Sequence, residues 1–200
     1  LDVDADPLFV FHGHEGAVNS LAEHADVLYS GSWDGTAKAW DANSGEFKYS
    51  VEVSSHAVTV AVLPTGNLVT GSTDKMIKIW NGESCLKTIE AHDDIIRAFA
   101  VSSNFFASTS NDMLVKLWSF DGAEMGTLAG HTAFCFDVGV NSEGSKLFSC
   151  GDDCALRVWD VNSSTCSQVI THGGTLWALK SLPNGDVVTA CGDGVRFLHF

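Results

Sequence analysis

Apolar and small residues alternate along Val58–Pro64 (VTVAVLP), and a turn follows at Thr65-Gly66-Asn67. Leu68–Ser72 (LVTGS) comes next, then a tight turn at Asp74-Lys75 and Met76–Trp80 (MIKIW). A two-residue period bounded by Gly, Asn and Asp predicts short strands joined by hairpins. Cys85–Glu90 has the same chemistry and predicts an outer strand. The succession returns near the end as LWALKSLP, Asn184-Gly185, DVVTA and Asp193-Gly194. No stretch of about 10–15 residues carries apolar positions at 3.6 spacing, which excludes a helical solenoid. Four short antiparallel strands per unit predict a β-propeller blade in an all-β chain.

The blade is written five times. A Ser or Thr is followed four residues later by Asp and, in four copies, six residues after that by Trp. The sets are Ser30, Asp34, Trp40; Thr70, Asp74, Trp80; Ser108, Asp112, Trp118; Ser149, Asp153, Trp159; and Thr189, Asp193. The Asp residues lie 40, 38, 41 and 40 apart, and a period near 40 marks a repeat whose units bury their faces only by stacking. The units span about 7–41, 46–81, 85–119, 123–160 and 165–200. An outer-strand segment, Pro7–Phe11, precedes the first inner strand, and the last unit has no fourth strand. A closed five-bladed ring and a piece of a larger ring both fit that phase. The start at Leu1 rather than Met and the stop in mid-pattern favour the piece.

His14, His92, His131 and His172 lead four of the units. A Ser/His/Asp set suggests a catalytic triad, but a triad occurs once per active site and this set recurs with a Trp. The expected role is structural: the imidazole bonds Asp and the hydroxyl, and the hydroxyl reaches the indole N–H. Two units depart from the pattern. His56 precedes Thr70 by only 14 residues, against 16–18 elsewhere, and His199 stands at the fifth Trp position.

His14, Ser30, Asp34, Trp40 and Asp41 match the WD40-repeat signature in full, as do His131, Ser149, Asp153, Trp159 and Asp160. In the third unit Ser119 replaces the final Asp. The runs GSWDGTAKAW, LPTGNLVTGSTDKMIKIW, the Cys85–His92 segment leading into IIRAFAV, and LWALKSLPNGDVVTACGDGV resemble the propeller of the phospholipase A-2-activating protein family. The resemblance covers essentially the whole chain. It implies the last five blades of a seven-bladed ring, and ubiquitin binding by one face of it. The family couples ubiquitin to an AAA unfoldase, and its further ubiquitin-binding domain and unfoldase-docking domain are not in this chain. Ubiquitin or ubiquitylated proteins are thus the implied partners, in ubiquitin-dependent degradation and ubiquitin homeostasis. A generic scaffold for another peptide or complex subunit is the alternative.

Composition narrows the field further. A net charge of −14, from 11 basic and 25 acidic residues, makes nucleic acid and anionic membranes poor partners. No apolar run approaches the roughly 20 residues that cross a bilayer. Six cysteines without CxxC spacing predict free thiols in a reducing cytoplasm or nucleus, although Cys150 and Cys154 leave a weak metal signal. No cofactor is expected. Gly31-Ser32-Trp33 lacks the spacing of a lipase nucleophile elbow, so the chain is expected not to be an enzyme.

Positions that vary between units are where binding should lie. Residues before each Asp (Trp33, Thr73, Asn111, Asp152, Gly192) and five after each leading His (Asn19, Arg97, Phe136, Trp177, with Val58 in the irregular unit) are expected on the narrow top rim. Trp33, Phe136, Trp177 and Val58 would gather apolar groups there, as a recognition surface needs. Phe136 and Trp177 could instead pack between blades. Arg97, the one cation of the set, could pair with Asp152. Phe105 and Phe106 read as strand core.

Overall fold

The computed structural model describes residues 9–53, 56 and 58–200, so Pro7 and Leu8 of the predicted leading strand lie outside the described residues. Phe9–Phe11 form no strand. The first blade is β1 (Val18–His24), β2 (Val27–Ser32), β3 (Thr36–Asp41) and β4 (Phe47–Glu52). The second is β5 (Thr59–Val62), β6 (Leu68–Gly71), β7 (Met76–Asn81) and β8 (Ser84–Glu90). The third is β9 (Ile96–Val101), β10 (Phe106–Ser110), β11 (Leu114–Trp118) and β12 (Glu124–Ala129). The fourth is β13 (Cys135–Val140), β14 (Lys146–Gly151), β15 (Ala155–Asp160) and β16 (Thr165–Thr171). The fifth has three strands: β17 (Leu176–Ser181), β18 (Val187–Cys191) and β19 (Gly194–Leu198). Each sheet is an antiparallel meander in chain order. Innermost strands of successive blades lie side by side, β1 on β5, β5 on β9, β9 on β13 and β13 on β17, which makes an open arc.

Four apolar clusters fill the four gaps between blades, and in three of them the Trp of one blade packs back on the blade before it. Trp80 joins Tyr29, Ala39 and Val51; Trp118 joins Ile77 and Ile79; Trp159 joins Val115, Leu117 and Leu128. Phe105 and Phe106 are core residues of two of these clusters, as their strand pattern predicts. In the fifth blade Leu198 and Phe200 take the place of the missing Trp, with Phe200 5.2 Å from Phe148. Phe11 lies 5.5 Å from Trp40, edge-on, so the leader fills the role of a preceding blade without forming a strand.

Within three blades one hydroxyl ties the strands together. Trp118 Nε1 donates to Ser108 Oγ at 2.8 Å, and His92 Nε2 lies 2.8 Å from the same oxygen. His92 Nδ1 is 2.7 Å from Asp112 Oδ2. Counting protons fixes the directions: a neutral imidazole donates through Nδ1 to the carboxylate, and Nε2 accepts from the hydroxyl, which accepts from the indole. The set repeats with His14, Ser30, Asp34 and Trp40, and with His131, Ser149, Asp153 and Trp159. Burial holds the His131 pKa below its ordinary value, which keeps the ring neutral. Partial burial raises the Asp34 and Asp112 carboxyls, but hydrogen bonds from Thr36 and His14, and from His92, outweigh it and hold both well below the usual range. The hydroxyls of Ser108 and Ser149 are fully buried, so this triad-like set has no access to a substrate.

Blades two and five differ. In blade two Trp80 Nε1 donates to Thr70 at 2.9 Å, and Asp74 bonds Ser72 and the Met76 N–H. In blade five the expected network of His172, Thr189 and Asp193 does not form. His172, 6% exposed, and Thr189 have buried polar atoms without partners, while Asp193 bonds Cys191 and Arg196. Without an indole donor, nothing draws the hydroxyl into line.

Side chains on the innermost strands also stitch blade to blade. Ser20 Oγ accepts the Val60 N–H at 3.0 Å, and Asp137 Oδ2, at the corresponding place, accepts the Leu179 N–H at 2.8 Å. Burial pushes the Asp137 carboxyl up to about 6, against the pull of the Leu179 and Val138 N–H groups and of Lys180.

Isosteric Thr→Val substitutions at two matched positions should separate a working hydroxyl from an idle one. Thr70→Val strands the Trp80 indole N–H and should cost about 1–3 kcal/mol in urea unfolding, whereas Thr189→Val removes an unpartnered hydroxyl and should be neutral or stabilising. The Asp137 pKa is raised in the folded state, so the native chain binds this proton more tightly than the unfolded one. Its contribution is complete below about pH 4 and is lost as pH rises through about 6. Asp137→Asn should remove that loss, on the order of 1–3 kcal/mol across the window, seen by comparing unfolding midpoints of the two proteins at pH 4 and 7.

Candidate partner-binding face

In four blades the pairing of the innermost strand with its neighbour slips by one residue. Val18 pairs Ser32 while Ser20 pairs Gly31; Ile96 pairs Ser110 while Ala98 pairs Thr109. Cys135 pairs Gly151 while Asp137 pairs Cys150; Leu176 pairs Cys191 while Ala178 pairs Ala190. The surplus residues are Asn19, Arg97, Phe136 and Trp177. A β-bulge re-aims the side chain it carries, and these four leave the alternation that would send them into the sheet. They are the positions that the sequence places five residues after a leading His.

Val58 departs from that expectation. Strand pairing in blade two begins one residue later, with Thr59 on Gly71 and Val60 on Thr70. Val58 sits in the core between blades one and two, 0% exposed, with its N–H on Ser32 O at 3.1 Å.

The bulges of blades three, four and five build one stack. The Trp177 and Phe136 rings lie 5.2 Å apart at an interplanar angle of 6°. The Arg97 guanidinium lies 5.7 Å over the Phe136 ring, and its Nε–H donates to Asn111 Oδ1 at 2.7 Å. Phe134, exposed and 6.4 Å from Phe136 at 60°, adds a third ring. The sequence reading passed over Phe134, though its Phe-x-Phe spacing to Phe136 was the available signal. Trp177 is 61% exposed, and aromatic pairs of this geometry present large apolar area in a fixed orientation. Asn19, Arg97 and Phe136 line one groove along the innermost strands, with Thr59 and Asp137. The Asn19 amide nitrogen, turned inward, donates to the carbonyls of Gly31 and Val58, both at 3.1 Å.

The turn positions divide. The backbone N–H groups of Trp33, Asn111, Asp152 and Gly192 donate to Ala17, Ile95, Phe134 and Thr175 at 2.9–3.3 Å, which locks each turn onto the head of its innermost strand. Trp33 is 52% exposed but sits on blade one, outside the stack. The Thr73 hydroxyl donates to His56 O. Asn111 is 7% exposed and faces Arg97 rather than solvent. Asp152 Oδ1 accepts the Thr175 hydroxyl at 2.7 Å, so the expected Arg97–Asp152 pair is not formed. At the turns Asp93 and Asp152 are exposed, and Asp193 is held low by the Cys191 thiol and Arg196 despite some opposing desolvation. Among the described residues no group of His, Cys, Asp and Glu could hold a metal. Cys150 is buried between blades four and five, and Cys154 Sγ lies 3.7 Å from Asp152 O.

The family model "WD domain, G-beta repeat" matches residues 5–41, 46–81, 83–119 and 122–160. The chain is 40% identical over 191 residues to the ubiquitin homeostasis protein lub1 of Schizosaccharomyces pombe, covering 94% of this chain and 26% of that protein. It therefore spans about a quarter of that relative's length. It is 32% identical over 181 residues to the nuclear distribution protein PAC1 of Arthroderma otae, covering 80% of this chain and 39% of the other. The crystal structure of the WD40 β-propeller domain of Doa1 superposes with a TM-score of 0.90 at 33% identity, covering 98% of this chain and 68% of that one.

Proposed function

The chain belongs to the WD domain, G-beta repeat family, and from that premise we propose that its arc of blades binds ubiquitin or ubiquitylated proteins without catalysing a reaction. Its place would be ubiquitin-dependent protein degradation and ubiquitin homeostasis. One observation carries this reading: a solvent-facing Trp177–Phe136 stack in a chain 40% identical to a ubiquitin homeostasis protein. Pre-stacked aromatic anchors suit a hot spot, because they lose little side-chain freedom when a partner covers them. Asn19, Thr73, Asp152 and Trp33 would lie around or beyond that anchor. Contact with an AAA unfoldase, which the family resemblance implies, would fall to parts of the longer relatives that these 200 residues do not match. A cytoplasmic or nuclear site goes with this reading, and all six thiols are free. The likeness to PAC1 favours a second reading, a scaffold for a different protein.

Titrating ¹⁵N-labelled ubiquitin with the protein and with its Trp177→Ala and Trp33→Ala variants tests the proposal. The parent should shift a contiguous patch of ubiquitin resonances, Trp177→Ala should weaken binding roughly tenfold or more, and Trp33→Ala should do less. A ubiquitin spectrum unmoved by a folded β protein returns the chain to the scaffold reading.

A further inference from the structure

We propose that Asn111 is a positioning residue for the recognition face: from inside the protein it sets the Arg97–Phe136–Trp177 stack that a partner meets. Asn111 is 93% buried and therefore makes no contact with a partner of its own. Its side-chain oxygen accepts the Arg97 Nε–H at 2.7 Å. Nε is the guanidinium nitrogen nearest the aliphatic stem, so holding it fixes the plane of the whole group. That plane lies over Phe136, and Phe136 lies parallel to Trp177. Cation–π attraction then passes the constraint from blade three to blades four and five. Each member of the stack sits on a bulge, outside the alternation that would fix it within its own sheet, so its order comes from the other members.

Blade three is set apart by this link. At the matching turn positions Asp152 accepts Thr175, Thr73 donates to a backbone carbonyl, and Gly192 has no side chain. The bond is also separate from the scaffold. The turn at Asn111 is held by its backbone N–H on Ile95 O, and the His92–Asp112 pair does not involve the Asn111 side chain. Releasing Arg97 would therefore loosen the stack while leaving the blade intact, and binding would have to order the side chains afresh.

The binding arm of the test rests on the ubiquitin reading; the resonance arm does not. In the free protein the Arg97 Nε–H signal should lie upfield of exposed arginines because of the Phe136 ring current. Asn111→Ala should abolish that shift and Asn111→Asp, which keeps the acceptor, should restore it. With ubiquitin, Asn111→Ala should weaken binding roughly three- to tenfold and add nothing in a Phe136→Ala background. Arg97→Lys keeps the charge but loses the planar fork, and should copy Asn111→Ala should that variant misfold. An Arg97 signal indifferent to Asn111 overturns the inference, as does full additivity with Phe136→Ala. If the parent leaves ubiquitin unmoved, the ubiquitin reading falls and the resonance arm alone decides.

Discussion

One shared hydroxyl per blade is the constraint on which the rest depends. In blades one, three and four a Ser oxygen accepts an indole N–H and gives its own proton to an imidazole that is anchored on a carboxylate. The Trp lies on the third strand, the Ser on the second, and the His in the loop that leads into the first. A single oxygen therefore ties two paired strands to a loop that no backbone ladder joins to them. Because the Ser and Trp members are buried and the His and Asp members buried or half-buried, removing one leaves a stranded donor or acceptor, which is how the network stiffens the blade.

The irregularity beside it rests on the turn rather than on the network, since blade five carries a bulge at Trp177 without one. In all four bulged blades the turn backbone pins the head of the innermost strand. Beyond that fixed point the strand can carry a surplus residue without unravelling. Bulges lie at Asn19, Arg97, Phe136 and Trp177, and three of them stack across blade boundaries. In blade two Val58 lies in the core instead. Scaffold and recognition surface are thus neighbouring parts of one device, with the repeated residues in the first and the varying residues in the second.

Strand order and the three complete networks were legible because they depend on local spacing: a two-residue period, a turn residue, a fixed offset between Ser, Asp and Trp. The positions of the bulge residues were legible for the same reason. Their surroundings were not. Phe136 and Trp177 could equally have packed between blades, and a one-residue difference in pairing decides which face a strand residue takes. Arg97 looked free to reach Asp152, but Asn111 lies closer within its own blade and Asp152 is already occupied by Thr175.

The amino-acid sequence by itself determined the repeat, the all-β blade and the residues that differ from copy to copy, since each is a property of short segments. Only the tertiary structure decided that His172, Thr189 and Asp193 fail to join, that Val58 is core and that Asn111 faces inward. The physical reason is common to all three. Hydrogen-bond partners and burial are settled by strand register and by the packing of one blade on the next, and both join residues that lie far apart along the chain.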